Sequence, residues 1–525
     1  MGEPALRDCD DPADLPLFAP VPASRPGRVR STFSMRLDPA ATRDEVQTSA
    51  ASPPAALLVK NPPPGWDQPH RAGRLGSSRA GVDWSLVARL RTQASERLSA
   101  QLGDGQSPLD REAQQEIGRS IIVDLLQAEA QERLSAGLGA WSMLEQDSVA
   151  KAVFDALFGL GRLQPLVDDD RIENIIITGH DTVRLELTDG TIISGEPVAD
   201  SDSELIEFLV FLASRSEVNA RPFSAAQPRL HLRLDGGARL AAAAWVTSRP
   251  SVVIRRHRLR RVSLDDLVEL HALTPLAASF LAAAVRARKS VVVAGPQGSG
   301  KTTMVRALCA EIPPYEAIGT FETEYELHLH EMPDRHPVVH AWEARPGSGE
   351  RGADGRQAGE FSLDEALYDS FRFNLSRQIV GEVRGREVIA MIKAMESGAG
   401  SISTTHAANA EAALRKLVTC AMEAGAHVTH EYATRAIAEN IDLVVQLQLE
   451  TTLLAGGAAR RDRWVSEIIA VTPGEREKGY ATTHVFWSGA GRIAVARVLP
   501  DEYRDLERHG FDLRGFYTES SQVAS

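Results

Sequence analysis

Residues 291–308 read VVVAGPQGSGKTTMVRAL, and Gly295, Gly300, Lys301 and Thr302 in them satisfy the pattern G-x-x-x-x-G-K-[ST]. That spacing lets backbone N–H groups curl round a phosphate. Of the 58 Lys and Arg residues only seven are lysines. One of the seven stands inside a glycine run, where a compact ammonium meets outer phosphates as a point charge. The Thr302 hydroxyl suits Mg²⁺, and a helix starting here would add its partial positive charge. The context agrees. Val291–Ala294 is an apolar run fit for a buried strand, and Met304, Val305, Leu308 and Ile312 recur at helical spacing. The residue types therefore point to a nucleoside triphosphate cradled by Gly295, Pro296, Gln297, Gly298, Ser299, Gly300, Lys301, Thr302 and Thr303.

Hydrolysis needs a metal partner and a group that positions water. The run AIGTFETEYEL (317–327) reads as a strand ending in Glu322, Glu324 and Glu326, and RQIVGEVRG (377–385) as a strand, Gln378–Val380, ending in Gly381-Glu382. In SISTTHA the strand Ser401–Thr404 ends at His406. Ligands in open parallel sheets sit at the carboxyl ends of strands, so all these groups are expected near the phosphates.

The elements that must hold them follow from the rest of the chain. At 525 residues it is too long for one core. Residues 1–82 are rich in Pro and Ala without periodicity, as in a disordered tail. Residues 83–162 carry helical stripes, such as Leu86, Val87, Leu90 and Leu98. Residues 163–260 alternate like short strands around Asp-Gly turns, including a hairpin at Asp235-Gly236-Gly237, which predicts an α+β domain. Over 261–450 two helices precede buried strands alternating with helices, the pattern of a parallel α/β sheet. Residues 451–525 read as a small C-terminal addition. The net charge of −13 disfavours nucleic acid, and no apolar run is long enough to span a bilayer, so no direct membrane insertion is expected. The scattered Cys9, Cys309 and Cys420 suit a reducing compartment.

These blocks in this order resemble the secretion-ATPase superfamily of type II and type IV secretion and type IV pilus systems, nearest its Flp/Tad-type pilus-assembly branch. The resemblance runs over roughly residues 155–475: the loop at 295–302, the acidic box TFETEYEL, the Walker B region QIVGEVRG, the histidine box GSISTTHA, and RLDGGARL and VVIRRH upstream. It implies a RecA-like P-loop core in which Lys301 and Thr302 hold ATP and Mg²⁺. Glu322 would polarise the attacking water, Glu382 would stand near the metal, and His406 would sense the γ-phosphate. Arg233, Arg239, Arg255 and Arg256 match basic positions that face nucleotide. The resemblance further implies a cytoplasmic homo-hexamer, peripheral at the inner face of the membrane, that drives an integral membrane platform protein. Two departures stand out: Thr323 where the family has Asp, and a short loop before the histidine box. Two other readings use the same core: a nucleic-acid translocase, and a weakly hydrolysing nucleotide-gated scaffold.

Overall fold

The computed structural model describes residues 82–103, 110–214, 223–256, 261–345, 347–352, 357–425, 427–474, 479–489 and 491–524. The tail expected over 1–82 lies outside them but for its last residue, as does most of the basic run 255–261.

Three helices come first, α1 (Trp84–Gly103), α2 (Arg111–Ser135) and α3 (Met143–Phe158). The Asp110 side chain caps α2, and Ser142 with Glu145 forms a reciprocal capping box on α3. They bury Leu86, Val87, Leu90, Ile121, Leu125 and Val153 against one another. A short α4 (Gln164–Asp168) leads into strands β1 (Ile172–Thr178), β2 (Thr182–Leu187) and β3 (Thr191–Ser194), then α5 (Asp202–Ser214). Strands β4 (Arg229–Arg233), β5 (Arg239–Ala243) and β6 (Ser251–Arg255) complete an antiparallel set. The expected hairpin is present: Leu234 and Ala238 close a turn through Gly236 and Gly237, both at positive φ.

Helices α6 (Leu264–Glu269) and α7 (Pro275–Arg286) precede the core. Its strands are β7 (Val291–Ala294), β8 (Ile318–Glu322) and β9 (Val339–Glu343), with α8 (Lys301–Cys309) following β7. After a two-stranded excursion, β10 (Ser348–Arg351) and β11 (Gln357–Ala358), come α9 (Leu363–Ser370), β12 (Arg377–Val383), α10 (Glu387–Glu396), β13 (Ser401–Thr405), α11 (Ala410–Glu423) and α12 (His430–Asn440). Strand β14 (Leu443–Leu453) runs into β15 (Ala459–Pro473), β16 (Tyr480–Trp487) and β17 (Val495–Ala496), and α13 (Leu513–Ala524) ends the described chain.

The order β14-β7-β13-β12-β8-β9 is parallel at every pair, the parallel α/β core that the alternation predicts. β7 is central and wholly buried, which explains its unbroken Val-Val-Val-Ala. Val291 and Val293 face one hydrophobic layer, Val292 and Ala294 the other. Residue 450, where the sequence pattern divides core from addition, falls inside β14, and the division does not hold structurally. Val465, Phe486, Tyr503 and Phe516 bury into the same layer as Val291. One further join lies beyond the reach of pattern. β3 pairs with β15 at two positions, Ile192 with Ala459 and Thr191 with Arg460, so the antiparallel set and the core form one sheet.

Candidate nucleotide site

The loop after β7 has the geometry a phosphate cradle needs. Gly298 and Gly300 lie at φ 79° and 88°, a region that costs most side chains strain. A Cβ on Gly295 would stand 2.6 Å from Ser299 Oγ and 2.8 Å from the Leu447 carbonyl. Lys301 begins α8 and is buried. Its ammonium donates to the carbonyls of Pro296 (2.9 Å) and Gly295 (3.2 Å) and lies 3.1 Å from His406 Nδ1. Burial lowers its pKa to about 8, with the charge of Arg255 adding to the effect and Glu382 opposing it.

The three strand-end groups of the core converge here. His406, just past β13, places Nε2 2.8 Å from Glu382 Oε1, so the imidazole bridges Lys301 and Glu382. An ammonium donor at Nδ1 leaves the imidazole proton on Nε2, facing the carboxylate. Burial and then Lys301 hold the His406 pKa below its ordinary value. For Glu382 burial alone would raise the pKa, but Arg384, 2.5 Å from Oε2, and His406 outweigh it and the net shift is downward.

Glu322 ends β8 at 2% exposure. Its Oε2 accepts from the N–H groups of Glu326 (2.7 Å) and Leu327 (2.9 Å), while Oε1 has no hydrogen-bond partner. Burial pushes its pKa up to about 7, the two backbone donors offsetting part of the effect. That is a range suited to a general base. Glu322, Thr323, Glu324, Glu326, Gly381, Glu382 and Thr302 line a cavity of about 10 Å³, roughly room for one water or small cation. Leu327 completes the lining, whose polar side chains offer only hydroxyl and carboxylate oxygens, donors that suit a hard divalent ion such as Mg²⁺.

Of the four upstream arginines, Arg239 reaches farthest into the core. Its Nη1 donates to Glu326 Oε1 at 2.6 Å and approaches Glu324 at 3.3 Å, and it also holds the Tyr325 carbonyl. Arg233 contacts Glu343 at 3.3 Å and lies over the Tyr325 ring. Arg255 faces Arg239 in the β5–β6 register. Arg256 turns away, onto the carbonyls of Asp169 and Ile172 within its own domain.

Four residues escaped the sequence reading. Arg463 Nε donates to the Gly298 carbonyl at 2.8 Å, and Arg463 and Arg461 both pair with Glu186 of β2, at 2.6 and 2.7 Å. Glu186 is 2% exposed. The available signal was the i, i+2 spacing of Arg461 and Arg463 in a strand, which puts both on one face. Arg306 of α8 was also missed: it donates to the carbonyls of Glu326 and Leu327 and pins the acidic loop to the helix.

Comparison with known proteins places these features in a family. The model of the family described as "Type II/IV secretion system protein" matches residues 189–505. The type IV secretion system protein PtlH of Bordetella pertussis is 38% identical over 185 residues, 35% of this chain and 50% of its own. The conjugal transfer protein TrbB of Rhizobium radiobacter is 29% identical over 243 residues, 46% of this chain and 65% of its own. The chain thus spans about half the length of PtlH and under two thirds of TrbB. Among solved structures, the VirB11 ATPase of the Brucella suis type IV secretion system aligns at 24% identity over 60% of this chain and 97% of its own. The TM-score of 0.30 is too low to assign function. With a family model covering more than half its length, the chain belongs to the type II/IV secretion system protein family.

Proposed function

We propose that this chain is an ATP-hydrolysing motor that powers pilus assembly or protein secretion. One observation carries the reading: Glu322, with one unpartnered oxygen, and Glu382 line one ion-sized cavity with Thr302 of the glycine loop's helix, and His406 links Glu382 to the Lys301 ammonium. Lys301 exchanges its loop carbonyls for the outer phosphates. Thr302, Glu382 and the facing carboxylates would hold Mg²⁺, whose charge would offset that of the phosphates. Glu322, buried and near neutrality in pKa, orients the attacking water and draws off its proton. His406, already between Lys301 and Glu382, reports the γ-phosphate to both.

The motor reading places ATP between the two domains, because Arg239 and Arg233 cross from the antiparallel set to the acidic loop. A γ-phosphate that ties both sides together, then leaves, closes and opens that cleft. The proposed assembly is a homo-hexamer at the cytoplasmic face of a membrane, acting on an integral platform protein in the manner of Flp/Tad-type systems. No helix among the described residues is long and apolar enough to cross a membrane. A phosphate-release assay tests the proposal: the wild-type chain turns over ATP, while turnover falls at least about 100-fold in Lys301→Ala and Glu322→Gln. Turnover by Glu322→Gln at the parental rate removes Glu322 from the base role.

A further inference from the structure

Glu326 has so far been only one of several cavity carboxylates, yet it sits at the centre of the site. Its backbone is clamped at both ends: the N–H donates to Glu322 Oε2 at 2.7 Å, and the carbonyl accepts from Arg306. Only the side chain is left to move. One carboxylate oxygen, Oε2, accepts from the Thr302 hydroxyl at 3.1 Å, and the other, Oε1, is held by Arg239 at 2.6 Å. The Thr302 hydroxyl is the group a P-loop offers to the metal. Glu326 therefore occupies the metal's hydroxyl ligand while being tied to the neighbouring domain.

We infer that Glu326 is a metal-admitting residue: its carboxylate trades the Thr302 hydroxyl and Arg239 for the magnesium shell, coupling metal entry to release of a domain contact. Three observations support this together. The carboxylate lines the ion-sized cavity with Thr302, Glu322 and Glu382. Its charge is felt by Lys301, Glu382 and Arg384 alike, as a group central to the site must be. Thr302 and Arg239, both on its carboxylate, come from different domains, the helix after the loop and β5, so the side chain links the two. A carboxylate beside a metal ligand orients that ligand and sets its basicity, and losing such a partner typically costs about 10- to 100-fold in metal affinity.

This inference rests on the motor reading, and the test separates the two. Binding of a fluorescent ADP analogue is titrated with Mg²⁺, starting from EDTA, and the half-saturating Mg²⁺ concentration is read. In Glu326→Gln it should rise about 10- to 100-fold while ADP binding in EDTA stays near the wild-type value. Arg239→Ala removes the competing guanidinium and should lower it. Glu326→Asp, which keeps the charge on a shorter stem, should shift it in the same direction as Glu326→Gln and covers any folding defect of that variant, which circular dichroism reveals. Wild-type Mg²⁺ dependence in both Glu326 variants overturns the inference alone. Failure of the wild-type chain to bind ADP at any Mg²⁺ concentration overturns the motor reading and the inference with it.

Discussion

Lys301, Glu322, Glu382 and His406 stand at the ends of four neighbouring strands of one parallel sheet, β7, β8, β12 and β13. Arg233, Arg239 and Glu186 reach the same place from an antiparallel set joined to that sheet through two residue pairs and a few ion pairs. The core wall is held by buried ladders and two apolar layers, and its side chains have little choice of position. The facing wall is held by partly exposed charges, which bind weakly and exchange partners readily. A motor needs this asymmetry, one wall that keeps the chemistry fixed and one that answers to the ligand.

Variants rank the two walls. Glu322→Gln should cost about 10²–10⁴-fold in turnover and leave ATP affinity within a few-fold, the contribution of one general base. Single-turnover kinetics checks it. Lys301→Ala should weaken nucleotide binding about 100-fold, the worth of one charge-assisted hydrogen bond at the upper end of its range, read by equilibrium titration.

On the facing wall, Glu186→Ala strips the shared partner from Arg461 and Arg463. Removing one member of a buried ion pair costs about 3–5 kcal/mol. Because both guanidinium groups stay about a quarter exposed, about 2 kcal/mol is expected here, measured by urea unfolding. A loss reaching the full ~3–5 kcal/mol of a buried pair would erase the contrast between the walls.

A smaller effect is the pH profile of kcat/KM. Glu322 must be ionised, so activity rises as pH climbs through about 7. Lys301 must stay protonated, so activity falls again above about 8. The alkaline limb should persist in whatever activity Glu322→Gln retains, while the acid limb disappears. Smallest of all, Arg256→Ala should change nucleotide affinity less than about twofold, since Arg256 packs on its own domain's carbonyls.

The core wall was legible in the linear chain because each part is a local pattern. The glycine-lysine spacing, the short strand runs that precede Glu382 and His406, and the acid run after Phe321 all carry their signal within about ten residues. Glu322 is the instructive case: the chain marks it as one acid of three, and only burial separates it from Glu324. The four upstream arginines looked alike in sequence. Arg239 and Arg256 part company because Arg256 lies one residue past β6, beyond Arg255 that pairs with Arg239, and Asp169 and Ile172 offer it carbonyl acceptors.

By itself, then, the order of residues determined a phosphate loop, the acids and histidine that attend it, and the alternation that forces a parallel sheet, since hydrophobic period and turn chemistry act over short range. Folding alone decided that β14 runs past residue 450 into the same sheet, that Glu186 meets Arg461 and Arg463, and that Glu326 holds Thr302. These contacts join groups up to 277 positions apart, and no local preference encodes such a pairing. It arises when separately specified elements bury their apolar faces together and the charges at their edges take whichever partners that packing brings within reach.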